Sequence, residues 1–382
     1  MEDLFSSVPA VLYNSIYISV IFGLCLIIAV NYSFSTTNEK LTAHLPLAQI
    51  GAFAFTALVI LFVGFRPISS VFVDMPMYVH VYNNIYDGAL ESVNDERGEW
   101  LFYFFGNWCK RMGLSDIMYI FSIDLIYFSL MLVACWRLMR NNLFVAILFC
   151  LASLSCFAYG VNGMRNGMAC SLVMVGVSLL SGKWWEKVFA FALMFCASSI
   201  HRSTALPCIC AISAWLFVKD TKWAIYFWIA SIFISLVAGN YVTEFFANLG
   251  FDERMERYAN LDERGDLLTS TNEMSGFRID FILYSIMPII MVWYVTIKRN
   301  FKDLTYHIIA TTYILSNAFW IMVIRSEQSN RFAYLSWFLY PIVIAYPLLR
   351  MNIWENQDRK TGLVLLVYVG FTFFMTFFYH GI

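Results

Sequence analysis

Two short polar segments, each bordered by apolar sequence, hold the residues best suited to chemistry. One is G-V-N-G-M-R-N-G-M-A, which begins at Gly160 and contains Arg165; the other is A-S-S-I-H-R-S-T-A-L-P, which contains His201 and ends at Pro207. A guanidinium binds anionic oxygens through paired hydrogen bonds, and an imidazole can take a proton from a hydroxyl. Two apolar segments joined by S-G-K-W-W-E-K separate the two residues, so we expect Arg165 and His201 on the same side of whatever the segments cross.

The composition indicates that these segments cross a membrane. Of the 382 residues, 60% are hydrophobic and 13% are charged, against about 25% charged in soluble domains. Because the backbone finds no water inside lipid, and the apolar runs are too long for barrel strands, the runs must be helices. The sequence therefore predicts an all-α polytopic membrane protein, a single integral domain over residues 1–382 with about twelve transmembrane helices. The predicted helices lie near residues 10–30, 46–66, 116–136, 143–160, 164–181, 186–200, 203–218, 223–240, 278–297, 304–324, 331–350 and 361–379.

The distribution of basic residues predicts the orientation. Short loops rich in Lys and Arg are typical of the cytoplasmic side, and strict alternation from Arg137 and Arg140 places every other short basic loop there too. The external side then holds two long segments, 67–115 and 241–277, and four arginines in short turns. Those arginines are Arg165, Arg202, Arg325 and Arg331. An anionic ligand would explain cations on this side; the alternative is that they reach towards lipid headgroups.

The first external segment, between predicted helices two and three, carries candidate sugar-binding residues. Asp74 suits the N-cap of a helix, and Tyr78 and Tyr82 then share its face. A carboxylate followed by aromatic rings is a common way to bind sugars, whereas an interfacial aromatic belt is the alternative. A second, amphipathic helix is predicted from Glu99 to Met112, lying in the membrane interface. Its predicted polar face is Glu99, Tyr103, Asn107, Lys110 and Arg111, and its apolar face is Leu101, Phe104, Phe105, Trp108 and Met112.

The other external segment, 241–277, lies between predicted helices eight and nine. It is densely charged, with both signs balanced, and is expected to form a surface helix and a lid-like loop. Within the apolar runs, Asp124 is the one acidic residue far from a predicted helix end. An acid at that depth has either a functional role or a hydrogen-bonded partner on a neighbouring helix.

The segment around Arg165 predicts a helix with two different faces. Glycines at 160, 163 and 167 allow another helix to approach closely, while Asn162, Arg165 and Asn166 project from the other side into a cavity. Arg331 and Tyr334 share one face of a later helix. The nine cysteines are scattered and form neither a zinc pattern nor a C-x-x-C motif, so we expect no metal and no cofactor.

Several arginines and one histidine on one face of a helical bundle suit an anionic, lipid-linked substrate. Diphosphate is a good leaving group only when its developing negative charge is stabilised, and arginines can stabilise that charge without a metal ion. His201 is then available as a general base or as the group that positions an acceptor hydroxyl. Two other functions also place His and Arg at a membrane face: an integral-membrane acyltransferase that modifies an extracellular glycan, and a flippase for lipid-linked oligosaccharides.

Five motifs in order resemble the EpsG-like, Wzy-type bacterial polysaccharide polymerases. The motifs are V-D-M-P-M-Y at Asp74, Glu99 with its aromatic segment, M-R-N-G-M-A at Arg165, S-I-H-R-S-T-A-L at His201, and N-R-F-A-Y at Arg331. They span roughly residues 60–345, and the chain has Met75 where the family usually has a tyrosine after the aspartate. The resemblance implies a GT-C-like glycosyltransferase that polymerises undecaprenyl-diphosphate-linked repeat units of O-antigen, capsule or exopolysaccharide.

The resemblance also implies roles, partners and location. Catalytic roles fall to Arg165, His201 and Arg331; the residues expected to bind substrate are Asp74, Tyr78, Glu99, Asn162, Asn166, Arg202, Arg325 and Tyr334. The expected partners are a lipid-linked donor and acceptor, membrane lipids, and chain-length regulator or export proteins, with no nucleic acid. The expected location is the bacterial plasma membrane, with the active site facing the periplasm or exterior.

Overall fold

The structure, a computed structural model, describes residues 5, 7–34, 45–88, 98–248, 279–324 and 329–379. Helices make up 83% of it, and these residues contain no strand. The prediction of an all-α chain is therefore confirmed. Arg325, one of the predicted binding residues, lies outside the described residues, as does most of segment 241–277.

Sixteen α-helices run through the described residues. They are α1 Tyr13–Phe34, α2 Leu45–Gly64, α3 Met75–Asn84, α4 Trp100–Arg111, α5 Asp116–Met139, α6 Leu143–Leu151, α7 Leu154–Val161, α8 Met164–Leu179, α9 Trp184–Ile200, α10 Ala205–Leu216, α11 Thr221–Asn248, α12 Ile279–Val292, α13 Leu304–Met322, α14 Ser329–Trp337, α15 Tyr340–Arg350 and α16 Gln357–Phe374. α11 is kinked at Ala238 and continues into the segment predicted as a lid.

Six helical segments of the described chain are long and apolar enough to cross a membrane. They cover Ala10–Ser33, Asp116–Leu151, Thr221–Gly239, Ile279–Lys298, Arg331–Arg350 and Gln357–Tyr379; Gln49–Gly64 and Met164–Leu179 are shorter apolar helices. Several of these helices expose large apolar side chains, such as Val237 with 87% and Val367 with 65% of its surface accessible. Stripes of this kind suit contact with lipid tails. The chain is therefore a membrane protein.

Two of the predicted helices are broken in the structure. The run 143–160 divides into α6 and α7 at Ser153, which has extended backbone angles (φ −65°, ψ 138°). The run 331–350 divides into α14 and α15 just before Pro341, because proline lacks the N–H that a continuing helix needs. These breaks leave α7 and α14 as short helices.

The core brings α8 into contact with α5 and α9, while α2 packs on α5. Glycine allows close approach at two of the three predicted positions, whereas a Cβ at Gly163 would make only an ordinary contact, 3.8 Å from the Tyr159 ring. A Cβ at Gly167 would lie 2.9 Å from both the Cβ and the carbonyl oxygen of Tyr159, and one at Gly160 would lie 3.3 Å from Val63. The first turn of α8 is therefore packed directly onto α7, with no room for a side chain between them.

A candidate active site around Glu99

Three helix ends meet at the candidate site. α8 begins next to Arg165, α9 ends next to His201, and α4 begins next to Glu99. Because α8 and α9 are consecutive, joined by a short turn and packed on each other, the start of one lies beside the end of the other. The topology thus brings Arg165 and His201 to the same end of the bundle.

The carboxylate of Glu99 joins the two predicted residues. Its Oε2 lies 2.5 Å from Arg165 Nη1 and its Oε1 lies 2.7 Å from His201 Nδ1. The backbone N–H of Arg202 also donates to Oε1, at 3.2 Å. An ionised carboxylate only accepts hydrogen bonds, so the His201 proton on this side must sit on Nδ1. Glu99 therefore fixes the tautomer of His201 and binds Arg165 at the same time.

Local backbone geometry aims these groups at each other. Gly98 has a φ of 74°, a left-handed conformation that suits glycine, and it turns the chain into α4 directly before Glu99. His201 ends α9 with an extended backbone (φ −145°, ψ 110°), which breaks the helix before the short 3₁₀ turn Arg202–Thr204. The hydroxyl of Thr204 donates to the His201 carbonyl at 2.7 Å and stabilises this turn.

The electrostatics keep Glu99 ionised. Burial raises the pKa of this carboxyl, but the hydrogen bond with His201 and the charge of Arg165 outweigh burial and bring the pKa to about 2. Burial also raises the pKa of Tyr78, and the positive charge of Arg165 opposes that rise. The site therefore holds a permanent carboxylate and a neutral phenol beside one guanidinium.

Arg165 keeps hydrogen-bonding capacity that Glu99 does not use. Its guanidinium lies 5.7 Å from the ring centroid of Phe102, and its buried Nε has no hydrogen-bond partner among the described residues. The buried Oδ1 of Asn162 likewise finds none in that part of the chain. Asn166 accepts a hydrogen bond from the Cys170 thiol. Polar groups left unpaired in a buried place are suited to a ligand.

The helix α3 holds Tyr78 near this cluster but directs its neighbours elsewhere. Tyr78 is buried, packs edge-on against Phe102 and interacts electrostatically with Arg165, Asp74 and Glu99. Asp74 occupies the predicted N-cap position, yet its side chain makes no capping hydrogen bond. Tyr82, expected to share a sugar-binding face, is instead stacked on Tyr119 at 4.3 Å and buried in the core.

The structure corrects the predicted polar face of α4. Glu99 and Asn107 are buried, and Asn107 accepts a hydrogen bond from the backbone N–H of Gly88. Gly106 explains this burial, because a Cβ there would lie 2.0 Å from the Tyr86 ring. The exposed side chains are mainly apolar instead, namely Trp100, Phe104, Trp108 and Met112, with Arg111 exposed at the end of the helix. This apolar stripe suits the membrane interface, so the helix is turned relative to the prediction.

The remaining predicted residues, Arg202, Arg331 and Tyr334, make no side-chain hydrogen bond or ion pair with Glu99, Arg165 or His201 among the described contacts. Arg202 contributes its backbone, while its side chain is exposed. On α14, Arg331 is half-buried and lies one turn before Tyr334, whose carbonyl accepts a hydrogen bond from the Tyr159 hydroxyl. Because Tyr159 also packs against Gly167, α14 is attached to the helix that carries Arg165.

A buried polar network holds α14 in place. Asn317 accepts a hydrogen bond from Trp228 Nε1 at 2.8 Å and donates to the hydroxyls of Ser336 and Ser285, at 2.9 and 3.2 Å. Trp337 Nε1 also donates to Ser285, at 2.8 Å. Helices α11 to α14 are thus joined through one asparagine, which the sequence alone did not single out.

Comparison with models of known protein families identifies the family of this chain. The model of the EpsG family matches residues 50–382. The chain belongs to the EpsG family. That family comprises Wzy-type polysaccharide polymerase-like proteins, so the predicted resemblance to it is confirmed. No curated protein and no solved structure shows a significant match to the chain.

Besides Asn317, two residues of this EpsG-family chain were not singled out from the sequence. Phe102 supplies the ring beneath Arg165. Arg66, just after the end of α2, forms a fully buried ion pair with Asp124, so the structure supplies the partner that one of the two alternatives for Asp124 required. A signal for Arg66 was present, because it is one more arginine on the side of the bundle predicted to be external.

The pKa of Glu99 yields a test of the cluster. It lies at about 2 in the folded protein, against 4.5 ordinarily. The ionised carboxylate therefore stabilises the fold fully above pH 4.5, and this contribution is lost as the pH falls towards 2. We expect Glu99→Gln to lower the free energy of unfolding at pH 7 by about 2 kcal/mol, with a smaller difference in acid.

Melting temperatures of the purified protein in detergent, measured from pH 7 to pH 3.5, check this expectation. Glu355→Gln, which changes an exposed carboxylate, is the matched control and should melt like the wild type. Equal melting of Glu99→Gln and the wild type at pH 7 would contradict the ionised bridge.

Proposed function

We propose that this chain is a glycosyltransferase that polymerises undecaprenyl-diphosphate-linked oligosaccharide repeat units at the external face of the bacterial plasma membrane. The observation that carries the proposal is the bridge from Glu99 to both Arg165 and His201. It places a group that binds anions beside an imidazole oriented as a general base. Membership of the EpsG family supports a polymerase-like enzyme. The proposed substrate rests on the chemistry of this bridge together with the substrate expected for the family.

His201 acts as the base in the proposed reaction. With the Nδ1 proton held by Glu99, Nε2 is the basic nitrogen, and it takes the proton of the acceptor sugar hydroxyl as that oxygen attacks the anomeric carbon of the donor. The bond from that carbon to the diphosphate oxygen breaks, and undecaprenyl diphosphate leaves. Glu99 stabilises the imidazolium, as a carboxylate does in other His-containing sites, and the proton then passes to water.

Arg165 binds the diphosphate as its charge develops. Its Nε has no partner among the described residues. Asn162 lies in the break before α8, and Asn166 lies next to Arg165 on the first turn of α8. Glu99 already offsets part of its charge, so a diphosphate needs further cations. Arg202 and Arg331 supply them, assisted by Arg325. Guanidinium groups suit this role because they donate two parallel hydrogen bonds to phosphate oxygens.

In this proposal the sugars of the donor and the acceptor bind along Asp74, Tyr78 and Tyr334. In this proposal Glu99 supports His201 and Arg165 instead of lining the sugar path, since both of its oxygens are engaged and its side chain is 7% exposed. The exposed aromatic stripe of α4 lies in the outer membrane interface. Besides the six long apolar segments, with Asp116–Leu151 counted as α5 alone, α2, the α6–α7 pair, α8, α9, α10 and α13 also cross the bilayer in this proposal. That gives about twelve spans in a GT-C-like arrangement. Chain-length regulator or export proteins receive the product.

Loss of either central residue should stop polymerisation. We expect cells with Arg165→Ala or His201→Ala to make single repeat units on the lipid and no ladder of longer chains, because leaving-group stabilisation or proton removal is lost. Gel electrophoresis of the cellular glycan measures the ladder. Arg359→Ala, at an exposed position, is the control and should leave it unchanged.

Three outcomes would contradict the assignment. A normal ladder from both variants at normal expression would show that neither Arg165 nor His201 is catalytic. Loss of acetyl groups at unchanged chain length, after deletion of the gene, indicates the acyltransferase alternative. Repeat units that accumulate on the cytoplasmic leaflet indicate the flippase.

Arginine stabilisation of the leaving group also predicts how the enzyme responds to chelation. Purified protein should polymerise a lipid-linked repeat unit in the presence of EDTA at the rate measured without it. Arg165→Lys should reduce the rate by about 100-fold, since an ammonium cannot make two parallel hydrogen bonds to phosphate. Polymer yield, followed by chromatography, gives both rates. Loss of activity in EDTA that Mg²⁺ or Mn²⁺ restores would refute the arginine mechanism.

A further inference from the structure

A second ion pair is buried deeper in the bundle than the Glu99 cluster. Arg66 Nη1 lies 2.5 Å from Asp124 Oδ2, and neither side chain is exposed at all. Arg66 follows the end of α2, and Asp124 lies in the first half of α5. Removing two charges from water costs several kcal/mol per ion, and an apolar pair of similar volume is often as stable. The pair therefore calls for an explanation other than stability.

Contact between α2 and α5 does not need these charges. A Cβ at Gly64 would lie 2.7 Å from the Phe121 ring and 3.3 Å from the Phe121 Cα, so the two helices already touch where glycine meets backbone. The rings of Phe65 and Phe121 also stack, with centroids 4.5 Å apart. The ion pair instead fixes the orientation of the Arg66 guanidinium, whose five N–H groups lie in one plane.

Arg66 uses that geometry to hold the end of α7. Its Nη2 donates to the carbonyl of Gly160 at 2.9 Å, one of the last four carbonyls of α7, which have no partner within their own helix. The same nitrogen lies 3.0 Å from Met164 Sδ, at the first residue of α8. Arg66 therefore contacts both sides of the break from which Arg165 emerges. Asp124 holds the guanidinium in this orientation.

A further contact of Arg66 is with the segment that leads into α3. Its guanidinium lies 5.3 Å from the ring centroid of Phe72, two residues before Asp74 and in the segment that leads into α3 and Tyr78. One buried side chain thus contacts the two chain segments that supply Arg165 and Tyr78.

We propose that the Arg66–Asp124 pair is a positioning device: it fixes the break between α7 and α8 so that Arg165 meets Glu99 and the substrate diphosphate. This inference rests on the proposed function. Neither residue touches substrate; both act through the placement of Arg165. Removing the pair without leaving an unpaired charge should therefore preserve the fold and weaken diphosphate binding.

The test uses the full chain in detergent and undecaprenyl diphosphate as the probe. The double variant Arg66→Met/Asp124→Leu keeps volume and removes both charges. We expect it to melt within a few degrees of the wild type and to bind the probe about tenfold more weakly, the loss expected for one charge-assisted hydrogen bond. The control, Arg137→Met/Glu186→Leu, removes an ion pair at the opposite end of α8, where Arg137 contacts Ser178. It should bind like the wild type.

Coupling to Arg165 separates positioning from a merely structural role. If the pair acts through Arg165, adding Arg165→Ala to the double variant should weaken binding no further than Arg165→Ala alone. Additive losses would overturn the proposal, because they mean that the two sites act independently. Wild-type binding by the double variant would overturn it too, and so would failure of the double variant to fold, since the pair would then serve the fold alone. If Arg165→Ala itself binds like the wild type, the proposed function fails instead.

Discussion

A carboxylate buried at 5% exposure must be balanced by its surroundings, and at Glu99 this requirement organises the whole site. Arg165 at the start of α8, and His201 and the backbone of Arg202 at the end of α9, provide the balancing groups. The carboxylate thus joins α4 to the hairpin of α8 and α9. The same contact determines the chemistry, because it sets the tautomer of the imidazole and leaves the guanidinium only partly neutralised.

The sequence predicts the coarse arrangement for physical reasons. Composition alone requires lipid-embedded helices, since no other structure satisfies the backbone in a bilayer. The proximity of Arg165 and His201 follows from two consecutive antiparallel helices with a short turn between them. The close approach at Gly167 is possible because glycine has no side chain, and the Tyr159 backbone fills the space that a Cβ would need.

What the sequence does not predict depends on contacts between distant residues. An amphipathic pattern shows which residues share a face of α4, but not which face packs against the bundle. The close contact of Gly106 with the Tyr86 ring sets the buried face, and Asn107 and Glu99 are buried with it. Hydropathy alone does not locate the helix break at Ser153, because it lies within a continuous apolar run; the break before Pro341 has a local signal in the proline itself. The partner of Asp124 is likewise 58 residues away, and only the fold brings it into contact.

In the proposed mechanism a lipid diphosphate binds where Arg165 and His201 meet. A cryo-electron microscopy map of the full chain with bound undecaprenyl diphosphate would test this binding site most directly. We expect diphosphate density within hydrogen-bond distance of Arg165, with Arg331 on its other side and His201 facing the acceptor position. Density remote from these three residues would contradict it. A divalent ion joining the diphosphate to Asp74 or Glu99 would contradict it as well.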